Sequence, residues 1–299
     1  MQALLHQSRR SRNVSQRWRA ITSELRYRLT QSREVHMSSK QLFLEPMTAG
    51  MILDRSFRLY VQNFALMIGL TAIVQVPILI LTVGAPLLRG TSQILGVIAG
   101  LIGLIGVLLS LLIVTPLVTG AATKAVSERF LGNEITALTA LKFAWGYVGT
   151  LLLIQLVVGL IVFVGLMLCL VPGILWMLSY SIVAPVAVLE NSSDRGEIRQ
   201  RSWDLVTGHR GKVFAVIVVV VLVQILLGGS GSLIIQLSFG SGSVMGEALG
   251  GLFSGIAGLL TYPLQAIAVT LIYYDLRIRK EGFDLEMLSR AIDSSPTTT

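Results

Sequence analysis

The sequence predicts an all-α membrane protein: six transmembrane helices arranged as three hairpins, with short interfacial amphipathic helices and both termini cytoplasmic. Six apolar segments divide residues 45–288, and a hydrocarbon core near 30 Å needs about 20 apolar residues in a helix. Charge alternates between the loops, so that of 24 Lys and Arg residues only Arg89 falls on the second side of the series. Lys and Arg are held on the cytoplasmic side during insertion, which sets the orientation. Composition agrees, because the chain is 53% hydrophobic and 13% charged, against about 25% charged for a soluble domain.

Residues 1–44 form a basic tail, disordered or helical on a surface, and residues 289–299 a second disordered tail. Residues 1–40 carry nine cations against Glu24 and Glu34, whereas the rest of the chain is nearly neutral. The net charge of +8 therefore belongs to the tail, and nucleic acid is not an expected partner of the body. Trp18, Ile21, Leu25 and Leu29 recur at helical spacing among Arg17, Arg19, Arg26 and Arg28. Such a helix suits an anionic lipid surface. The Arg and Ser content equally fits a targeting peptide, and Met37 and Met47 stand beside Met1 as alternative translation starts.

The expected spans are 64–86, 94–122, 146–168, 171–189, 213–237 and 248–274. The third and fourth run together and need the break at Leu170-Val171-Pro172-Gly173 to form two crossings. Barrel strands would be about ten residues long and alternate in polarity, so helices are required. Cations on the inner side are Lys124, Arg129 and Lys142, then Arg195, Arg199, Arg201, Arg210 and Lys212, then Arg277, Arg279, Lys280 and Arg290. The segment 238–247 on the other side is rich in Gly and Ser and has no cation.

A repeat organises these segments. Each odd span follows a short stretch with aromatics and a cation: Arg55–Tyr60, Leu141–Trp145 and Arg201–Leu205. Each odd span then holds a glutamine (Gln75, Gln155, Gln224), and each even span a proline, in Thr115-Pro116, Ala184-Pro185 and Tyr262-Pro263. Three units follow, each an interfacial helix, an outward span and a returning span.

Residues 51–64 (MILDRSFRLYVQNF), Arg201-Ser202-Trp203-Asp204-Leu205 and residues 273–284 (YYDLRIRKEGFD) carry a family likeness. Together they resemble the membrane domain attached to some bacterial glycerophosphodiester phosphodiesterases, and its free-standing multi-pass form. The likeness covers residues 45–288 and implies a helical domain of a bacterial plasma (inner) membrane. No part of these 299 residues resembles that family's catalytic barrel or its metal-binding acidic residues, so the resemblance implies no phosphodiesterase activity.

No Asp, Glu, Lys, Arg or His lies in the middle of a span. An idle charge there costs about 3 kcal/mol or more, so charges inside membranes mark ion and proton pathways. Their absence argues against a proton-coupled pump. Gln75, Gln155, Gln224 and Gln265, with Gln236, are the intramembrane polar candidates. They either line a polar path or bond neighbouring helices at about 0.6 kcal/mol each. Glycine pairs at Gly96/Gly100, Gly246/Gly250 and Gly251/Gly255 allow close helix packing within the monomer or between copies. Cys169 is expected as a small buried hydrophobe. Gly208-His209-Arg210-Gly211-Lys212 lacks the spacing, the hydroxyl residue and the strand of a phosphate loop. The three histidines stand far apart, so no metal or cofactor is expected.

Arg201, Trp203, Asp204, Asp275, Arg277, Arg279, Lys280 and Glu281 form the expected cytoplasmic interaction surface, through ion pairs between the last span and the 194–212 loop. Two functions suit the chain. One is a non-enzymatic membrane module contacting the bilayer, anionic lipid headgroups or a protein partner. The other is a small-solute or lipid transporter lined by the glutamines. An enzyme ranks third, because no acid, base or nucleophile constellation is evident.

Overall fold

The computed structural model describes residues 46–88, 92–130, 133–190, 194–240 and 243–282. The N-terminal tail, Arg89, Arg290 and the end of the YYDLRIRKEGFD run lie outside the described residues. Among the described residues the chain is helical without strands, and six helices are long and apolar enough to cross a membrane.

Helix α1 (Ala49–Gln62) is the first pre-span stretch, capped by the Thr48 hydroxyl, which accepts from the Met51 amide. Asn63 separates it from α2 (Phe64–Leu87), the first span. The second span starts as α3 (Gln93–Leu109), widens to a π-helical turn at Ser110–Val114, and continues as α4 (Thr115–Phe130). Pro116 explains the widening. Its ring has no N–H to donate and crowds the carbonyl one turn back, so the turn takes in an extra residue. The Thr115 hydroxyl then donates to the Ser110 carbonyl at 3.0 Å.

Here the middle repeat unit departs from expectation. Leu141–Trp145 is not a separate interfacial helix, but part of α5 (Ala137–Leu168), one continuous 32-residue helix capped by Thr136. No proline lies between Trp145 and the span, so nothing interrupts the backbone ladder. The three units are therefore not equivalent.

The third-to-fourth break sits at Cys169, whose backbone is extended, and α6 (Leu170–Ser179) starts at the next residue. Pro172 falls in the first turn of α6, where an N–H would have no helical partner. Cys169 is exposed at this turn, contrary to its expected burial. The fourth span is itself interrupted at Tyr180–Ile182 before α7 (Val183–Leu189). Pro185 accounts for this too, because it sits in the first turn of the restarted helix.

Helix α8 (Arg195–Val206) matches the third pre-span stretch. It buries Ile198, Ser202, Leu205 and Val206, and Ser202 donates to the Ser179 carbonyl at 2.8 Å. The fifth span comprises α9 (Arg210–Gln224), a π-helical turn at Ile225–Gly229 and α10 (Ser230–Phe239). The sixth is α11 (Val244–Glu281), 38 residues long.

Helix α11 is the core of the bundle. In its most apolar window 67% of residues are buried, against 17–50% for the other five spans. Glycine lets it approach two neighbours. A Cβ at Gly250 would meet Gln236 and Ser232 of α10 at 3.1 Å, and one at Gly255 would collide with Leu79 of α2. The Thr123 and Thr270 hydroxyls bond at 3.0 Å between α4 and α11, fully buried. By contrast, a Cβ at Gly96 or Gly100 would meet nothing within 4 Å.

The α5–α6 turn brings a glycine against backbone rather than side chain alone. A Cβ at Gly173 would lie 2.7 Å from the Leu166 backbone nitrogen, which cannot yield as a flexible side chain can. Gly173→Ala should therefore lower stability by about 1–3 kcal/mol, the usual cost of overpacking. Gly149→Ala, which meets open space, should leave the thermal melt in detergent unchanged; equal melts would show that the turn tolerates the methyl.

Candidate functional site

The eight residues of the expected interaction surface come together at one end of the bundle, but as an internally paired cluster. Its centre is Asp275, fully buried on α11. Its carboxylate accepts from the Arg279 Nε at 3.1 and 3.2 Å, from the Lys212 ammonium and from the Met47 backbone amide at 2.6 Å. The Met47 carbonyl accepts in turn from Lys212 at 3.2 Å and Arg279 at 2.8 Å. Residues at the starts of α1 and α9 are thereby fastened to α11. Breaking one side of a buried pair costs about 3–5 kcal/mol, because the other charge is left without a partner. The Arg58–Asp54 pair, with both side chains 67% exposed, is worth about 0–1 kcal/mol.

A second group surrounds Glu190, just past α7. Arg201 donates to both its oxygens at 3.0 and 3.2 Å, and the Tyr273 hydroxyl donates at 3.0 Å. Arg277 donates to the Tyr273 oxygen at 3.1 Å and to Glu281 at 3.0 Å, while Arg201 also pairs with Glu281. Asp204 takes a hydrogen bond from Gln200 at 3.1 Å, and its backbone carbonyl accepts from Lys280. Trp203 lies between Tyr180, at 5.7 Å, and the Arg210 guanidinium, at 4.8 Å.

Glu190, Tyr273, Met47 and Arg210 were not among the expected site residues. The signal for Arg210 was present in the rejected glycine motif. Gly208 takes φ +89°, and three groups able to carry positive charge follow it at the start of a span. His209 is held below its ordinary pKa by burial and by Lys212, Arg279 and Lys280. Among the described residues its Nδ1 and the Arg210 Nε are buried without a hydrogen-bond partner.

The four intramembrane glutamines do not form one path. Gln224 donates to Gln265 at 2.8 Å. Gln155 and Gln265 line the same cavity of about 330 Å³. Gln75 is buried on α2 away from that cavity, with its Oε1 unpartnered among the described residues. No group of three or more His, Cys, Asp or Glu among the described residues is placed to hold a metal ion.

Two outcomes follow. Asp275→Asn should destabilise the protein by about 3–5 kcal/mol, seen as a lower melting temperature in detergent. Combined with Lys212→Gln it should cost less than the two single losses together, because the residues share one interaction. The depressed His209 pKa means that the unfolded chain binds a proton more readily than the fold. Stability should be complete above the ordinary histidine range and fall as pH drops through it. His209→Gln should flatten that slope in a melting series from about pH 8 to about pH 5.

Comparison with protein-family models, curated proteins and solved structures finds no match to this chain. Its six apolar spans are those of a multi-pass integral membrane protein.

Proposed function

We propose that the protein is a non-enzymatic membrane module that holds anionic lipid headgroups at the cytoplasmic end of its bundle, with both termini on that side. The observation that carries this reading is the surplus of positive charge around the start of α9. Arg210, Lys212, Arg279 and Lys280 gather there with His209, and Asp275 pairs with Lys212 and Arg279. Arg210 stacks on Trp203 and Lys280 reaches a backbone carbonyl, and neither has a carboxylate partner among the described residues. Each such cation near an anionic membrane surface contributes about 1 kcal/mol of attraction, and a guanidinium can hold a phosphate through two hydrogen bonds.

The residues resembling phosphodiesterase membrane domains supply much of this end of the bundle: α1, the Arg201–Leu205 stretch and the end of α11. That resemblance supports a bacterial inner membrane as the location. A transport path along the glutamines is the weaker reading, because Gln75 stands apart and the cavity at Gln155 and Gln265 is walled mainly by apolar side chains.

The full chain in nanodiscs, with equal phosphatidylglycerol and phosphatidylcholine, should enrich phosphatidylglycerol in its retained lipid shell. Arg210→Ala with Lys280→Ala should abolish the enrichment while leaving the melt near wild type. An unchanged shell would sink the headgroup reading. Loss of a cross-linked protein from native membranes, with the shell intact, would move the surface to a protein partner.

A further inference from the structure

A second site opens on the flank of the bundle, where Gln155, Gly159 and Met177 are exposed at its mouth. Two cavities of about 330 Å³ each flank Gln265 and share Met177, Ser181 and Val269 as walls. Gln265 is ten residues before Asp275 on one helix, which places it about 15 Å from the charged cluster along the axis. The volumes suit a small ligand or part of a larger one.

The chemistry of the walls selects the ligand. No Asp, Glu, Lys, Arg or His lines either cavity. A charged headgroup would therefore lose its hydration without gaining a counter-charge. The first cavity presents Thr115, Thr119, Gln155, Tyr180, Ser181 and Gln265. The hydroxyl hydrogens of Thr115, Thr119 and Ser181 are committed to backbone carbonyls three to five residues earlier, which leaves their oxygens able to accept. The Gln155 amide and the Tyr180 hydroxyl bond to no other described residue and can donate. An unpaired amide at this depth is costly. The second cavity, walled by Val216, Val220, Val221 and Ile272, has only Ser181 and Gln265 as polar groups.

We infer that these two adjacent cavities together bind a neutral lipid of the diacylglycerol class: a free hydroxyl and ester carbonyls at the Gln155 side, and an acyl chain along α9. The hydroxyl meets the threonine acceptors, and the carbonyls meet the Gln155 and Tyr180 donors. Two helix interruptions, the π-helical turn before Thr115 and the Tyr180–Ile182 break, border the first cavity, and such irregular turns are frequent at functional sites.

The test uses the full chain in phosphatidylcholine nanodiscs with a trace of photoreactive dioleoylglycerol, and reads the labelled peptides by mass spectrometry. Labelling should fall within residues 151–162 and 177–184. Unlabelled dioleoylglycerol should compete, whereas dioleoyl phosphatidic acid and the O-methyl ether of dioleoylglycerol should not. Gly159 lines the first cavity, and a Cβ there meets nothing within 4 Å, so Gly159→Leu fills the space without a clash at its first carbon. It should cut labelling about tenfold, as should Gln155→Leu through lost hydrogen bonds, both at wild-type melting temperature. Labelling spread over lipid-facing residues outside those windows, such as Leu104 and Phe163, equal competition by phosphatidic acid, or indifference to both substitutions would overturn the assignment.

Discussion

Asp275 holds a carboxylate where water does not reach, which is tolerable only because Lys212, Arg279 and the Met47 amide converge on it. A charge removed from water must recover several kcal/mol through its partners, so their geometry is fixed within narrow limits. The consequence is architectural. The approach to α1, the start of α9 and the last two turns of α11 meet at one carboxylate, and the ends of these helices cannot drift apart without exposing an unpaired charge. Glu190 does the same for α7, α8 and α11 through Arg201 and Tyr273.

Below that cluster the packing forces are weaker. Lipid tails are as apolar as leucine, so helices gain little by hiding apolar surface from them. Close approach and hydrogen bonding take over, as at Gly250, Gly255, the Thr123–Thr270 pair and the Gln224–Gln265 pair. Helix α11 can carry these groups because its neighbours shield it from lipid. It is also the least apolar of the six spans, as a helix surrounded by protein is free to be.

Much of this was legible in the sequence. Length and hydropathy located the six spans because the thickness of a bilayer leaves few alternatives. Pro116 and Pro185 stand at two of the interruptions, whereas the π-helical turn at Ile225–Gly229 has no proline, and Pro77 and Pro263 lie in unbroken helices. The eight charged and aromatic residues stand out in the sequence because they crowd the ends of the apolar segments. What stayed hidden was long-range. Nothing near Met47 shows that its backbone will meet Asp275, 228 positions away, and Glu190 belongs to no pattern in the sequence. The uninterrupted α5 was misjudged because aromatics beside a cation mark a membrane boundary whether or not the helix breaks there. The exposure of Cys169 was misjudged because an apolar run gives no sign of which residue turns outward.

The position of α11 in the gene product also orders its assembly. The helix that the others surround is the last of the six to leave the ribosome. Until it arrives, the earlier spans have entered the bilayer around an empty place: Lys212 without its acid, Gln224 without its amide partner, Leu79 without the groove at Gly255. Biogenesis of this protein is therefore a late closure, in which threading of the sixth span converts loosely associated helices into one body. Chains stalled before it would present membrane proteases with unmatched polar groups.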